Sequence, residues 1–482
     1  MKYTVGSLFA GVGGICLGFK NAKTKSSSYN LAWANEIDDY ACETYRTNFK
    51  HLLLQGDIEK IIHPTRIDLE IESLRKKIKS LEEDKDKKKS EIAKLSKADD
   101  NIDNVTHISI LQSEVNALSK DSEHAEKKLT ELLETRDGEF DTFLKDATLP
   151  VWIEKQNKQE EFKKYTELRS QIIANPIDVL NGGFPCQAFS IAGERHGFKD
   201  PRGNLFLSIV DLIELLGETH SNVDSKTGKA NSNGKPRILF LENVKNLENH
   251  DNGRTYKAIK IRLEQCGYTI FEHVLNTMYY SDLPQNRERI YIIGFRDQED
   301  AKAFTLFEEK ELSKRKVKKD ALNRAEDVKA VIDYNLTSKE LGKYYYTKEK
   351  YPLYYSDEDD KVNLDRDITE KYQFYQVRRG MYVRKNRSNV CPTLTANMGT
   401  GGHNVPLIKV SDGIRKITPA EAFRLQGFPV GSGYTLPTKM NGREYGDAPL
   451  YKQAGNAVSV PVITMIAKEL LKILEKCGAN ND

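Results

Sequence analysis

Residues 3–14 read Tyr-Thr-Val-Gly-Ser-Leu-Phe-Ala-Gly-Val-Gly-Gly. Tyr3 to Phe9 is a short apolar run with strand character, and it opens into a turn built largely of glycine. Glycines let a backbone turn sharply and approach a ligand closely. Outward from this stretch, Asn30 to Asn35 and His51 to Leu54 are further apolar strands separated by helical segments, the βαβ rhythm of a parallel sheet. Glu36 follows the second strand about 20 residues past the glycines, where a Rossmann-like site needs an acid for ribose hydroxyls. Asp57-Ile58 follows the third strand, placed to take an adenine amine. Phe9, Ala10, Gly11, Gly13, Gly14, Glu36, Asp57 and Ile58 are therefore candidate cofactor residues. The glycines alone also suit a structural tight turn, and the acid spacing weighs against that reading.

The rhythm stops at about Arg66, and the chain to Gln171 is highly charged and almost free of Gly and Pro. Ile71, Leu74, Ile78, Leu81, Ile92 and Leu95 keep heptad steps, as do Ile108, Leu111, Val115, Leu118, Ser122, Ala125, Leu129 and Leu132. Between them Asp99 to Asn104 breaks a helix, with Asn104 or Thr106 able to cap the next. An inserted antiparallel helical hairpin is expected, either a contact arm for DNA or a partner protein, or a tolerated surface insertion. The α/β rhythm returns at Ile177–Asn181, Ile238–Leu241, Thr269–Leu275 and Arg289–Phe295. Gly217 to Pro236 reads as a polar surface loop, and Ala457 to Cys477 as a closing helix after Tyr451–Asn456. The expected domains are 1–65 (cofactor site), 66–175 (hairpin), 176–296 (second part of the α/β body), 297–449 (a smaller, irregular second domain) and 450–482 (a segment packing back on the body).

With 74 basic and 71 acidic residues in 482, the net charge is +3, so a nucleic-acid surface has to arise from local clustering. Tyr375 to Asn389 supplies one: Arg378, Arg379, Arg384, Lys385 and Arg387 stand there with no acid among them. A solvated basic face is the plainer account of the same cluster. Cys16, Cys42, Cys186, Cys266, Cys391 and Cys477 form no Cys-x-x-Cys pair, which argues against a zinc ribbon or a disulfide framework. No metal is expected. A strand beginning by Tyr3 leaves no room for a targeting peptide, and no apolar run is long enough to span a bilayer, so the expected setting is cytoplasmic.

Gly182-Gly183-Phe184-Pro185-Cys186-Gln187-Ala188-Phe189-Ser190 follows a buried strand and so lies at the carboxyl edge of the sheet, where α/β folds bind ligands. A lone cysteine is most often a small buried hydrophobe. Here paired glycines, a fixing proline and the later Gly193, Gly197 and Gly203 make a segment able to close over a substrate.

With this loop, Leu241-Glu242-Asn243-Val244, Gln285-Asn286-Arg287-Glu288-Arg289, Pro419 to Pro429 and Gln453 to Val458, the chain resembles the cytosine-5 DNA methyltransferases, in that family's motif order. Ala457, where some relatives carry Ser, is the one small departure. The resemblance implies an α/β, Rossmann-like S-adenosylmethionine-dependent domain with a mostly parallel sheet, and a target-recognition domain over 297–449. It implies a Cys186 thiolate that adds to carbon 6 of a flipped-out cytosine, Glu242 acting at nitrogen 3, Arg289 on oxygen 2, and Arg287 orienting the cysteine loop or holding Glu242. Pro185, Leu205, Asn456 and Ala457 are then cofactor neighbours. Gln187, Ser190, Arg378, Arg379, Arg384, Thr393, Thr395 and Asn397 are DNA contacts. The expected partner is double-stranded DNA, met by a monomer near the nucleoid. The architecture resembles the bacterial or phage members that accompany restriction enzymes. Three other readings are the same chemistry on transfer RNA, a nucleotide-binding oxidoreductase, which leaves the Pro-Cys-Gln loop unexplained, and a catalytically silent DNA-binding or coiled-coil scaffold.

Overall fold

A computed structural model describes residues 1–63, 66–96, 102–145, 153–184, 205–219, 234–317, 324–400 and 405–478. The chain divides into two compact units, residues 1–58 with 171–482 and residues 59–170. In the first unit seven strands form one sheet: β1 (Lys2–Leu8), β2 (Ser28–Glu36), β3 (Leu52–Gln55), β4 (Val179–Gly183), β5 (Ile238–Val244), β6 (Thr269–Asn276) and β7 (Glu288–Phe295). Their order is β3-β2-β1-β4-β5-β7-β6. The first five run parallel, and β7 lies antiparallel to both β5 and β6. The chain winds outward from β1 to β3, then returns to β4 on the other side of β1. The crevice beyond the carboxyl ends of β1 and β4 is thus the topological switch point, where open α/β sheets place ligands.

Ile238, Leu239, Phe240 and Leu241 are all buried, so β5 is covered on both faces and reads as a continuous apolar run rather than an alternation. Helix α1 (Gly14–Asn21) and the final helix, Val460–Gly478, share one apolar cluster with Val5, Val179, Phe240 and Ile293. The final helix is tied to the first strands by Tyr3 Oη, donating to Leu474 O at 2.8 Å, and by Tyr29 Oη, donating to Ala467 O at 3.0 Å. Helix α2 (Asp39–Asn48) starts after the second strand because the Asp38 carboxylate accepts from Ala41 N at 3.0 Å, a side-chain N-cap. The short α3 (Ile58–Ile62) follows β3.

Two expectations at the chain's end change. Tyr451–Asn456 is not a lead-in but part of a helix, Asp447–Asn456, and the final helix starts at Val460 rather than Ala457. Ala457 is extended (φ −66°, ψ 168°), which breaks the two helices apart. The loop expected from Gly217 starts later, since the helix Leu205–Thr219 runs past Gly217, and residues 220–233 lie outside the described residues.

A second sheet joins β8 (Tyr345–Tyr346), β9 (Tyr375–Arg378), β10 (Tyr382–Lys385), β11 (Leu407–Val410) and β12 (Gly413–Lys416) in the order β10-β9-β11-β12-β8, all pairs antiparallel. Val362, Leu364, Ile368, Tyr375, Val377, Leu407 and Ile414 form its own core. The Pro419–Leu425 helix is locked beside it by a buried ion pair, in which Arg415 Nη2 and Nη1 reach Glu421 Oε1 and Oε2 at 2.7 and 2.8 Å.

The second unit holds α4 (Arg66–Leu95), α5 (Ile102–Lys145) and most of α6 (Ile153–Ala174). Lys88 pairs with Glu114 at 2.6 Å and Ser122 donates to Glu82 at 3.2 Å, so α4 and α5 run antiparallel, with Leu111 and Ala125 buried. Helix α5 begins at Ile102, which puts the expected caps Asn104 and Thr106 inside it. Helix α6 is a third helix beyond the expected pair. Among the described residues no helix is long and apolar enough to cross a membrane, and no His, Cys, Asp or Glu cluster is arranged to hold a metal ion.

Candidate active site

The turn after β1 takes backbone conformations that only a glycine-rich sequence holds without strain. Gly11 and Gly13 have φ of +54° and +82°, and Phe9 joins them at +51°. A Cβ on Gly13 would enter the Phe49 ring at 2.2 Å, while nothing lies within 4 Å of one on Gly11. The turn is therefore packed below and open above. It is tied to the second strand by Ala10 N donating to Asn35 O at 2.9 Å and by Gly11 N donating to Glu36 Oε2 at 2.7 Å. Glu36 Oε1 accepts from Ile37 N and Asp38 N, each at 2.8 Å, so its carboxylate is fixed at the mouth of the crevice. Buried Asn35 donates to Leu54 O and Gly56 O, both at 2.9 Å, which sets the third loop beside the first two. That loop carries half-buried Asp57 and buried Ile58.

On the other side of the switch point, β4 ends at Gly183 and β5 carries Glu242 in register beside it. A Cβ on Gly183 would sit 3.3 Å from Glu242 Oε2, so the carboxyl lies directly over the start of the cysteine loop. Asn243 Nδ2 donates to Phe184 O at 3.2 Å and fixes the loop's first residue. Pro185, Cys186, Gln187 and Ser190 lie outside the described residues. Because β7 runs antiparallel to β5, the start of β7 meets the end of β5. Arg289 Nε comes within 3.1 Å of Glu242 Oε1, both side chains being largely buried. Burial pushes the Glu242 carboxyl above its usual range, against the pull of Arg289 and Arg287. Arg287 lends charge at longer range. It donates to the main-chain carbonyls of Leu394, Gly455 and Ala457.

A buried carboxyl raised by burial, at the rim of the sheet beside Gly183, is what the resemblance anticipates at Glu242. Residues 3–75 and 151–472 match the family of C-5 cytosine-specific DNA methylases. The chain belongs to that family. Residues 76–150, the bulk of α4 and α5, fall outside the match. A Type II methyltransferase, M.Bsp6I of Bacillus sp. (strain RFL6), is 41% identical over 334 residues, 67% of this chain and 91% of the relative. M1.ScrFI of Lactococcus lactis subsp. cremoris is 33% identical over 301 residues (62% and 63%). M.HpaII of Haemophilus parainfluenzae is 33% identical over 309 residues (64% and 74%).

In this DNA methylase the remaining candidates fall into two groups. Half-buried Leu205 opens its helix, and exposed Asn456 and buried Ala457 end the helix Asp447–Asn456. Thr393 Oγ1 donates to Asn286 O at 2.6 Å, and Thr395 Oγ1 donates to Asn397 Oδ1 at 2.6 Å, which sets this segment beside Arg287. Arg378, Arg379 and Arg384 sit on the β9–β10 hairpin, Arg384 reaching Gln376 at 2.5 Å, with Met381 and Tyr382 exposed at its tip. In the run Tyr344–Tyr346, Tyr344 and Tyr345 are buried and Tyr346 is half-buried.

Sequence reasoning missed three participants. Ile37 is 61% exposed immediately after Glu36, an apolar side chain held out at the crevice mouth. Asn35 organises the third loop, and its signal was only a polar residue at a strand's buried end. Gly455 allows the close approach described below, and nothing in its neighbours announced it.

Proposed function

We propose that the protein transfers a methyl group from S-adenosylmethionine to carbon 5 of a cytosine swung out of double-stranded DNA. S-adenosylmethionine supplies an electrophilic methyl group when bound. The donor set fits it: the Glu36 carboxylate suits ribose hydroxyls, the open space above Gly11 admits a ligand against main chain, and exposed Ile37 offers an apolar face to adenine. Asp57 and Ile58 would serve the adenine edge, and Pro185, Leu205, Asn456 and Ala457 the amino-acid end.

The Cys186 thiolate adds to carbon 6, forming a sulfur–carbon bond and driving an electron pair toward carbon 5. Glu242 gives its proton to nitrogen 3, so the ring does not carry the negative charge, and Arg289 steadies oxygen 2. With the methyl in place, carbon 5 loses its proton to water, the double bond re-forms, the sulfur departs as thiolate and the nitrogen 3 proton returns to Glu242. Residues 297–449 act as the target-recognition domain, with Arg378, Arg379 and Arg384 on phosphates and base edges and Thr393, Thr395 and Asn397 on the strand carrying the flipped base. Gln187 and Ser190 approach the DNA from the cysteine loop. Similarity to Type II methyltransferases supports a role in protecting DNA within a restriction-modification system.

The observation that carries this reading is the buried Glu242–Arg289 pair set over Gly183. Transfer of labelled methyl from the cofactor to duplex DNA and to transfer RNA tests it. Label on carbon 5 of cytosine in duplex DNA is expected, and label confined to transfer RNA, or to another atom, refutes it.

A further inference from the structure

One side chain is bonded to both walls of the proposed site. Arg287 is only 2% exposed. Its Nη1 donates to Leu394 O at 3.1 Å, and its Nη2 donates to Gly455 O at 3.2 Å and to Ala457 O. Leu394 lies in the segment read as meeting DNA, while Gly455 and Ala457 flank Asn456 on the cofactor side. Gly455 O belongs to the last turn of the helix Asp447–Asn456 and has no intrahelical partner, at the end where the helix dipole attracts a cation. A guanidinium holds its N–H groups in a rigid planar fork, so displacing one of these carbonyls disturbs the bonds to the others.

The two walls also touch directly. A Cβ on Gly455 would lie 2.2 Å from Thr395 C and 2.5 Å from Ala396 N, which puts main chain against main chain with no side chain between to absorb movement. The residues before Arg287 are laced to the DNA-side segment: Cys391 N donates to Pro284 O at 2.6 Å, Asn286 N donates to Cys391 O at 2.8 Å, and Thr393 Oγ1 reaches Asn286 O. Two residues further on, Arg289 holds Glu242.

We infer that Arg287 is a positioning residue that couples the two binding events, so that duplex bound along Thr393–Asn397 raises affinity for the cofactor and the cofactor raises affinity for duplex. The inference rests on the proposed reading of the two walls. Its physical basis is shared ordering: a ligand that fixes one wall has already met part of the cost of fixing the other, and the linkage is reciprocal.

The test measures S-adenosylhomocysteine affinity of the full-length protein, alone and saturated with a duplex built around the site that bisulfite sequencing identifies. Duplex is expected to tighten binding at least about fivefold in the wild type. Arg287→Lys keeps the charge but not the fork, and is expected to bring that ratio close to one. A merely structural arginine lowers both affinities and leaves the ratio unchanged; that result overturns the inference, as does a wild-type ratio of one. Amide exchange on the wild-type protein does not depend on the variant folding. Duplex alone, without cofactor, is expected to slow exchange across residues 453–458 and leave the helix Arg254–Gln265 unaffected. Unchanged exchange over 453–458 overturns the coupling. Methyl transfer by the wild-type protein to the same duplex separates the two levels: transfer with a ratio of one sinks the coupling alone, and absence of transfer sinks the reading beneath it.

Discussion

Replacing Gly455 with alanine probes how closely the two walls of the site are fitted. The residue stands in a right-handed helix, where alanine is intrinsically better than glycine by about 1 kcal/mol, so on propensity alone the change stabilises. The structure predicts the reverse. The new Cβ would fall 2.2 Å from Thr395 C and 2.3 Å from Thr395 O, well inside ordinary contact distance, and both atoms are main chain that no rotamer change can remove. Overpacking of this kind costs about 1–3 kcal/mol. Separating the two segments also pulls a buried carbonyl away from Arg287, a further loss of about 1–3 kcal/mol. The balance is a destabilisation of about 3 kcal/mol once the gain in propensity is set against it, seen as a melting midpoint lowered by a few degrees. Gly342→Ala is the control, because Gly342 has ordinary helical angles and nothing within 4 Å of its Cβ position. That variant should match or slightly exceed the wild type. If Gly455→Ala tracks Gly342→Ala in thermal scans, the close fit argued here is wrong.

Three further outcomes are expected. Burial raises the Glu242 carboxyl, so the folded state keeps a proton that the unfolded chain releases near pH 4.3; stability should fall as pH rises from there through the raised value, and Glu242→Gln should lack that fall in urea titrations run across pH. The same variant should lose about 10²–10⁴ in kcat, and should no longer show the decline at higher pH that deprotonation of Glu242 causes, which a kcat–pH profile reads directly. Residues 76–150 lie outside the family match and the unit 59–170 is compact by itself, so replacing 66–171 with a short Gly/Ser linker should leave a soluble, cooperatively melting protein; aggregation or loss of the melting transition would show that the insertion is integral.

The sheet was legible because its central strands are buried on both faces, which leaves continuous apolar runs such as Ile238–Leu241, and because Glu36 stands at a spacing that the cofactor geometry imposes. The helix Asp447–Asn456 was not legible. Pro449, Gly455 and Asn456 are poor helix formers, yet the proline sits in the first turn, where its missing N–H costs nothing, and the glycine is there for close approach. The direct hydrogen bonds of Arg287 were hidden for a different reason. Leu394 and Gly455 accept through main-chain carbonyls, which every residue carries, so no side chain there betrays the contact. Arg287 reads from the sequence as a holder of Glu242 and Arg289 as the group on oxygen 2; the ion pair with Glu242 falls instead to Arg289, two residues on, because motif spacing alone does not say which of two nearby arginines faces the carboxylate.

On the proposed mechanism the sulfur of Cys186 bonds to the target cytosine. A duplex carrying 5-fluorocytosine at the methylated position tests it most directly, since fluorine cannot leave as a proton and the adduct persists. Incubated with S-adenosylmethionine, the protein should form a complex that survives denaturation, with the crosslinked peptide containing Cys186. No covalent complex, or one attached through Cys16, Cys42, Cys266 or Cys391, which are all buried, would contradict the account.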